Sequence, residues 1–177
     1  MFRITRRRMA AVSLLAAGAL FTSACSGEVG SAAVVNGQRI EVSTVHEALE
    51  DLDDITQGLT QVDILGLLII EPIWRKIGAE RGIGFTDQEV QGMLDSVRVD
   101  SGLEPQPVRQ GAIDVLRTDL IISQLLNGPQ RDEVVADVQE RVAAADIESN
   151  PRFGEFTAEQ GLVPTTPTWI VDSPPNP

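Results

Sequence analysis

Residues 60–81, from Thr60 to Arg81, constrain the fold more than any other stretch of the chain. Val62, Leu65, Ile69, Ile73 and Ile77 recur at helical spacing, and Ile64, Leu67, Leu68, Ile70 and Trp74 carry the apolar surface almost all the way round. Such a helix is buried, spans a membrane, or offers a face to a partner. Asp63 and Glu71 bracket only seven residues, and a span needs about 20 apolar residues. The segment is therefore a helix that other apolar elements must surround. Thr60 and Asp63 predict a capping box at its start. Pro72 predicts a kink, because it removes one donor and crowds the carbonyl of Leu68. Gly82 and Gly84 predict its end.

Around it the spacing predicts four more helices. Ser43 reads as the N-cap of the first, whose apolar positions are Val45, Leu49, Leu52 and Ile55. Thr86 and Glu89 predict a second capping box, before a stripe of Val90, Met93, Leu94 and Val97. After the loop Ser101–Val108, a helix carries Val108, Ala112, Val115, Ile122 and Leu126, widened by Ile113, Leu116 and Leu120. Asn127-Gly128-Pro129 stops it. A last helix, about residues 130–145, is expected to bury Val134, Val135, Val138 and Val142. Ahead of all these, "AAVVNGQRIEV" reads as a β-hairpin. Asn36-Gly37 favours the positive φ values of a two-residue turn between its two apolar stretches.

The first 24 residues read as an address and not as structure. Arg3, Arg6, Arg7 and Arg8 precede a short apolar run, Ala10 to Phe21, and then Thr22-Ser23-Ala24. This is the pattern of an export signal, too short to cross a bilayer. Cys25, the only cysteine, follows at once. Thr22-Ser23-Ala24-Cys25 resembles a lipoprotein cleavage box, with Thr22 in place of the usual leucine. Cys25 is accordingly the expected lipidation site. It would anchor an exported protein to the cell membrane, facing outside the cytoplasm, and acyl chains add about 0.8 kcal/mol of membrane affinity per buried CH₂. Residues 25–31 read as a tether, 32–154 as one domain, and 155–177 as a proline-rich tail.

The leader takes four of the 14 basic residues and none of the 26 acidic ones, so the remainder carries a net charge of −16. Nucleic-acid binding rests on Lys and Arg neutralising phosphates and is excluded as an expectation. The same charge argues against lying flat on anionic lipid. With no disulfide, no Tyr, two Trp and three Phe beyond the leader, the core must be built from aliphatic residues.

No constellation for catalysis emerges. His46 is the single histidine and reads as a solvated helix position. No G-x-S-x-G elbow and no phosphate loop occurs. Glu50, Asp51, Asp53 and Asp54 fail the calcium-loop pattern, because Ile55 stands where an oxygen ligand belongs, and they read as a solvated helix end. No metal, cofactor or enzymatic activity is expected. The two wide apolar stripes, on 60–81 and 107–127, exceed what a narrow helix seam needs. Either all of that surface is core, or part of it forms an aliphatic cleft. On the second reading Val62, Leu65, Leu68, Trp74, Leu116 and Leu120 are the candidate peptide-binding face.

Two motifs in order resemble the SurA-type periplasmic chaperones. Ala33 to Ile40, "AVVNGQRI", resembles that family's opening hairpin. Ala79 to Val90, "AERGIGFTDQEV", resembles its helix end, glycine and capped restart. "NPRFG", Asn150 to Gly154, is similar to a closing segment of short lipoproteins of this type. The resemblance spans about residues 32–150. It implies a mainly α fold like the SurA N-terminal domain, with a short N-terminal hairpin and a returning C-terminal strand, which "ADIESN" would supply. It also implies binding of unfolded or envelope polypeptides. Many relatives insert a parvulin-type prolyl isomerase domain. Only about 20 residues separate Val134 from Phe153, less than a domain needs, and a parvulin's paired histidines cannot exist here, so isomerase activity is expected to be absent. The leading expectation is a lipid-anchored chaperone-like module. The alternative is a lipoprotein that docks one defined envelope partner, through Trp169-Ile170-Val171.

Overall fold

The structure, a computed structural model, describes residues 30–165. The leader, Cys25 and the Trp169-Ile170-Val171 segment lie outside the described residues.

Strand β1 (Ser31–Val35) turns through Asn36 (φ 50°) and Gly37 (φ 79°) into β2 (Gln38–Glu41). Two successive positive φ values give a turn whose twist matches that of the strands it joins. The register pairs Val35 with Gln38, Val34 with Arg39 and Ala33 with Ile40. Strand β3 (Ile147–Ser149) returns antiparallel along the other edge of β1, Val35 facing Ile147 and Ala33 facing Ser149. The sheet order is β2-β1-β3. Side chains fasten both ends of this closure. The Asp146 N–H donates to Asn36 Oδ1 at 3.0 Å, and Asn150 Nδ2 donates to the Ser31 carbonyl at 2.9 Å.

Helix α1 (Val42–Leu52) leaves β2 with no intervening loop. Ser43 is therefore inside its first turn and is not the N-cap. Glu41 takes the cap position without a side-chain bond, and the Val42 N–H is satisfied by the Gly30 carbonyl at 2.8 Å. Helix α2 (Gln61–Glu80) has the expected capping box. Asp63 N–H donates to Thr60 Oγ1 at 3.3 Å and Thr60 N–H to Asp63 Oδ2 at 2.9 Å. It runs through Pro72 as one helix. It ends in a Schellman turn, with Gly82 at φ 71° and the Ile83 N–H bonded back to the Gly78 carbonyl at 2.8 Å. Helix α3 (Asp87–Asp100) repeats the capping box with Thr86 and Glu89. Helices α4 (Gln110–Leu126) and α5 (Arg131–Ala144) complete the set.

The domain is mainly α-helical, and its spine is α2 packed on α4. One aliphatic core joins β1, α1, the first half of α2, α3 and the start of α4. A second joins the last turns of α2 (Ile73, Trp74, Ile77) to Ile121 and Leu125 of α4 and to Val134 and Val142 of α5. Three stripes differ from expectation. On α3 only Val90, Leu94 and Arg98 are buried, whereas Met93 and Val97 face solvent. On α4 the buried apolar set is Ala112, Ile113, Val115, Ile121 and Leu125, with Ile122 and Leu126 half-buried. On α5, Val135 points outward. Helices α3 and α5 lie at the edge of the domain, where a helix buries a narrower stripe than its apolar sequence allows.

The folded body also runs past the boundary expected at Gly154. Strands β4 (Glu155–Thr157) and β5 (Gly161–Val163) form a second antiparallel ribbon. Its Phe156 packs against both cores. The Gln160 N–H donates to Thr157 Oγ1 at 3.1 Å and Gly161 takes φ 72°, which closes the three-residue turn.

Candidate functional site

The six candidate binding residues do not share one surface. Leu65, Leu68 and Trp74 are 0%, 8% and 6% exposed and belong to the cores. Leu65 and Leu68 belong to the first core, with β1, α1 and α4, and Trp74 to the second, with α4 and α5. Leu116 and Leu120 are half-buried against the first core. Val62 alone lines an open apolar cleft.

That cleft, of about 370 Å³, lies between α2 and the β4–β5 ribbon. Val62, Gly66 and Ile70 follow one another at four-residue steps on α2, and Leu67 lies beside them, so they form one wall. Phe156 and Leu162 are directly opposed in the ribbon and so share a face, which forms the other wall. Leu59 also lines the cleft. Gly66 contributes no side chain, and space is open where a Cβ would stand. The only ionisable lining residue is Asp63, whose Oδ2 is engaged with Thr60 N–H and Thr60 Oγ1. Such walls can bury an aliphatic or aromatic side chain without strict demands on its shape.

Several charged groups of the domain hold elements together. Arg98, fully buried, reaches from α3 into the α1–α2 connection. Its Nε and Nη2 donate to the two Asp54 oxygens at 3.2 and 3.1 Å, and Nη2 also donates to the Asp51 carbonyl at 2.7 Å. Its Nη1 takes the Gln106 carbonyl at 3.1 Å. Arg109 forks onto Asp51, with Nε at 3.0 Å and Nη2 at 2.6 Å, while the Arg109 N–H donates to Asp51 Oδ2 at 2.7 Å. The side-chain bonds from Arg109 hold the Asp51 carboxyl below the usual carboxylate range, against the opposing effect of its partial burial. The acidic run 50–54, expected as a solvated helix end, is thus in part a set of anchors for α3 and α4. Arg117 joins α4 to the start of α3, donating to the Phe85 carbonyl at 2.9 Å, to Asp114 at 2.6 Å and to Asp87. His46 stays at the surface, 3.2 Å from Glu50.

One carboxylate stands apart. Glu71 lines a smaller cleft of about 190 Å³ with Leu68, Pro72, Thr44 and Asp114. Burial raises its pKa above the usual value, Arg75 at 2.8 Å opposes that shift, and the charge of Asp114 adds to it. Among the described residues no group of three or more His, Cys, Asp and Glu side chains is placed to hold a metal, and no helix is long and apolar enough to cross a membrane.

The residues from Gly30 to Thr165 thus make a mainly α-helical domain, closed by a strand that returns to its N-terminal hairpin, with an apolar cleft beside its central helix. No family model, curated protein or solved structure matches the chain. Leu59, Leu67, Ile70, Phe156 and Leu162 complete the cleft and were not among the expected binding residues. The available signal was the pair of short β-prone runs, "EFT" and "GLV", separated by three residues, with a glycine opening the second.

Proposed function

We propose that this domain binds non-native segments of other polypeptides in the cleft between α2 and the β4–β5 ribbon, as a chaperone-like module without catalysis. The observation that carries the reading is the cleft's lining. It is apolar on both walls, its one carboxylate is spent on a helix cap, and it presents no nucleophile or acid–base pair. Its size lies at the lower end of the roughly 300–1,000 Å³ of ligand sites, enough for one or two large side chains. The two segments resembling SurA-type chaperones support the same reading, as do the export-type leader and Cys25. On this proposal Cys25 carries a lipid anchor that keeps the domain at the outer side of the cell membrane, among envelope polypeptides. An isomerase reading has no support in the cleft.

The test is suppression of aggregation of a denatured client by the full-length chain and by Val62→Glu. Val62 lines the cleft without belonging to either core, so the variant should keep its melting temperature. The expected result is suppression by the parent chain and about tenfold weaker suppression by the variant, the effect of a buried unpaired charge at a binding site. No suppression at stoichiometric excess of the parent chain removes the proposal.

A further inference from the structure

We infer that the outer face of α3 is a second docking surface, and that its partner is a cationic amphipathic segment of another polypeptide. Five large apolar side chains are exposed among the described residues. Four of them, Met93, Val97, Val99 and Leu103, lie on α3 or the turn that follows it, with exposures from 38% to 57%. Met93 and Val97 are one helical turn apart and stack on the same face. The Leu103 N–H bonds back to the Arg98 carbonyl at 2.8 Å, with Gly102 at φ 77°, so the chain doubles back over the last turn of the helix. In this turn type the residue at Leu103's position packs toward the side chain at Val97's position. Met93, Val97 and Leu103 therefore form a short ridge. Val99, two residues on from Val97, faces another direction.

The charge around the ridge selects the partner. From Asp87 to Glu104 the chain carries Asp87, Glu89, Asp95, Asp100 and Glu104 against a single base, Arg98, and of these acids Asp87 is paired with Arg117 of α4. Arg98 is fully buried and turned toward Asp54, so it contributes nothing to the outer face. Glu89 lies one turn before Met93, Asp100 lies three residues after Val97, and Glu104 adjoins Leu103. Solvent thus meets an apolar ridge with acidic margins. A segment with aliphatic residues at i, i+3 or i+4 and Lys or Arg beside them would bury the ridge and pair with its margins. An anionic membrane or a nucleic acid would be repelled. A second copy seated on the same face would set acid against acid. The α2–ribbon cleft draws no lining residue from α3, so this surface stands or falls independently of the function proposed above.

The experiment titrates the full-length chain with a fluorescent amphipathic peptide of Leu and Lys, and with a counterpart bearing Glu for each Lys, at low and at high salt. The Lys peptide should bind, the Glu peptide should not, and added salt should weaken the binding. A Met93→Glu/Val97→Glu double variant should bind about tenfold more weakly or worse. An Asp100→Lys/Glu104→Lys double variant should also lose affinity and lose most of the salt dependence. All four positions are exposed, so thermal melting should be nearly unchanged, and Val62→Glu should bind as the parent does. Equal binding by the two peptides would overturn the inference. So would undiminished binding by both double variants, or sedimentation showing that the ridge mediates self-association.

Discussion

The α2–α4 spine and helix α3 are held by opposite means. The spine is dry where its two helices meet: Ile64, Leu65, Ile69, Ile77 and Ile121 are almost without exposure and belong to the two apolar cores. Helix α3 gives the core just Val90 and Leu94, and its third buried residue is an arginine hydrogen-bonded to a carboxylate and two carbonyls. Apolar packing is non-directional and accumulates with area, about 25 cal/mol per Å² removed from water. A buried guanidinium is directional. It fixes position, but its net stabilisation is small because both ions lose hydration. The spine is thus built for stability, and α3 is pinned in register while its outer face remains free.

The largest expected loss comes from the spine. Leu65→Ala removes a fully buried side chain between α2 and its neighbours, and should cost about 4 kcal/mol, toward the upper end for such truncations where surroundings cannot collapse. Equilibrium denaturation should show that loss as one cooperative transition, insensitive to salt. A loss below about 1 kcal/mol would mean that the spine is not the rigid partner in the comparison.

Arg98→Met should cost about 3 kcal/mol, the low end for breaking a buried pair, because Asp54 keeps 37% of its side chain in water. The loss should be local. Amide hydrogen exchange should speed up across α3 and the loop Leu103–Val108, while α2 and α4 keep their protection. Arg98→Lys should not restore it, since one ammonium cannot reproduce a fork onto Asp54 together with bonds to the carbonyls of Asp51 and Gln106. Uniform loss of protection over all five helices would show that α3 is not a separately held element.

The same contrast explains which parts of the structure were legible in the sequence. Both capping boxes, the Asn36-Gly37 turn, the stop at Gly82 and the five helices follow from local chemistry or from the period of the apolar residues. The returning strand was implied by resemblance to the SurA-type chaperones, and β3 occupies that place. What periodicity cannot report is how much of an apolar stripe is covered. Met93, Val97 and Val135 repeat as regularly as Val90 and Val134, and only the neighbouring elements decide which are buried. Nor can it reveal a polar peg. Arg98 looks like any charged residue near a helix end, and Asp51 and Asp54 look like part of a solvated acidic run, until a fold brings residues 44 and 58 positions apart together. The cleft was barely legible: of the six residues expected to form a binding face only Val62 lines it, and its second wall comes from a ribbon whose strands are three residues each, too short for alternation to register.

The smallest expected effect lies at the border between the dry and polar regions. Glu71 is on the spine helix, yet burial lifts its pKa above the ordinary carboxylate value, with Arg75 only partly compensating. The folded chain therefore holds the Glu71 proton more tightly than the unfolded chain does. Its stability contribution is most favourable below the ordinary carboxylate value. It declines as pH rises through the raised one, and at neutral pH it persists as a penalty. Glu71→Gln keeps an oxygen for Arg75 and removes the charge. It should raise the melting temperature at neutral pH by the equivalent of about 0.5 kcal/mol, the lower end of what single surface corrections yield. The gain should shrink as pH falls and vanish where both chains are protonated. A variant less stable than the parent at neutral pH would show that the Arg75 ion pair outweighs burial. Glu71 would then belong with Arg98 among the polar fastenings, and the dry spine would end one turn earlier along α2.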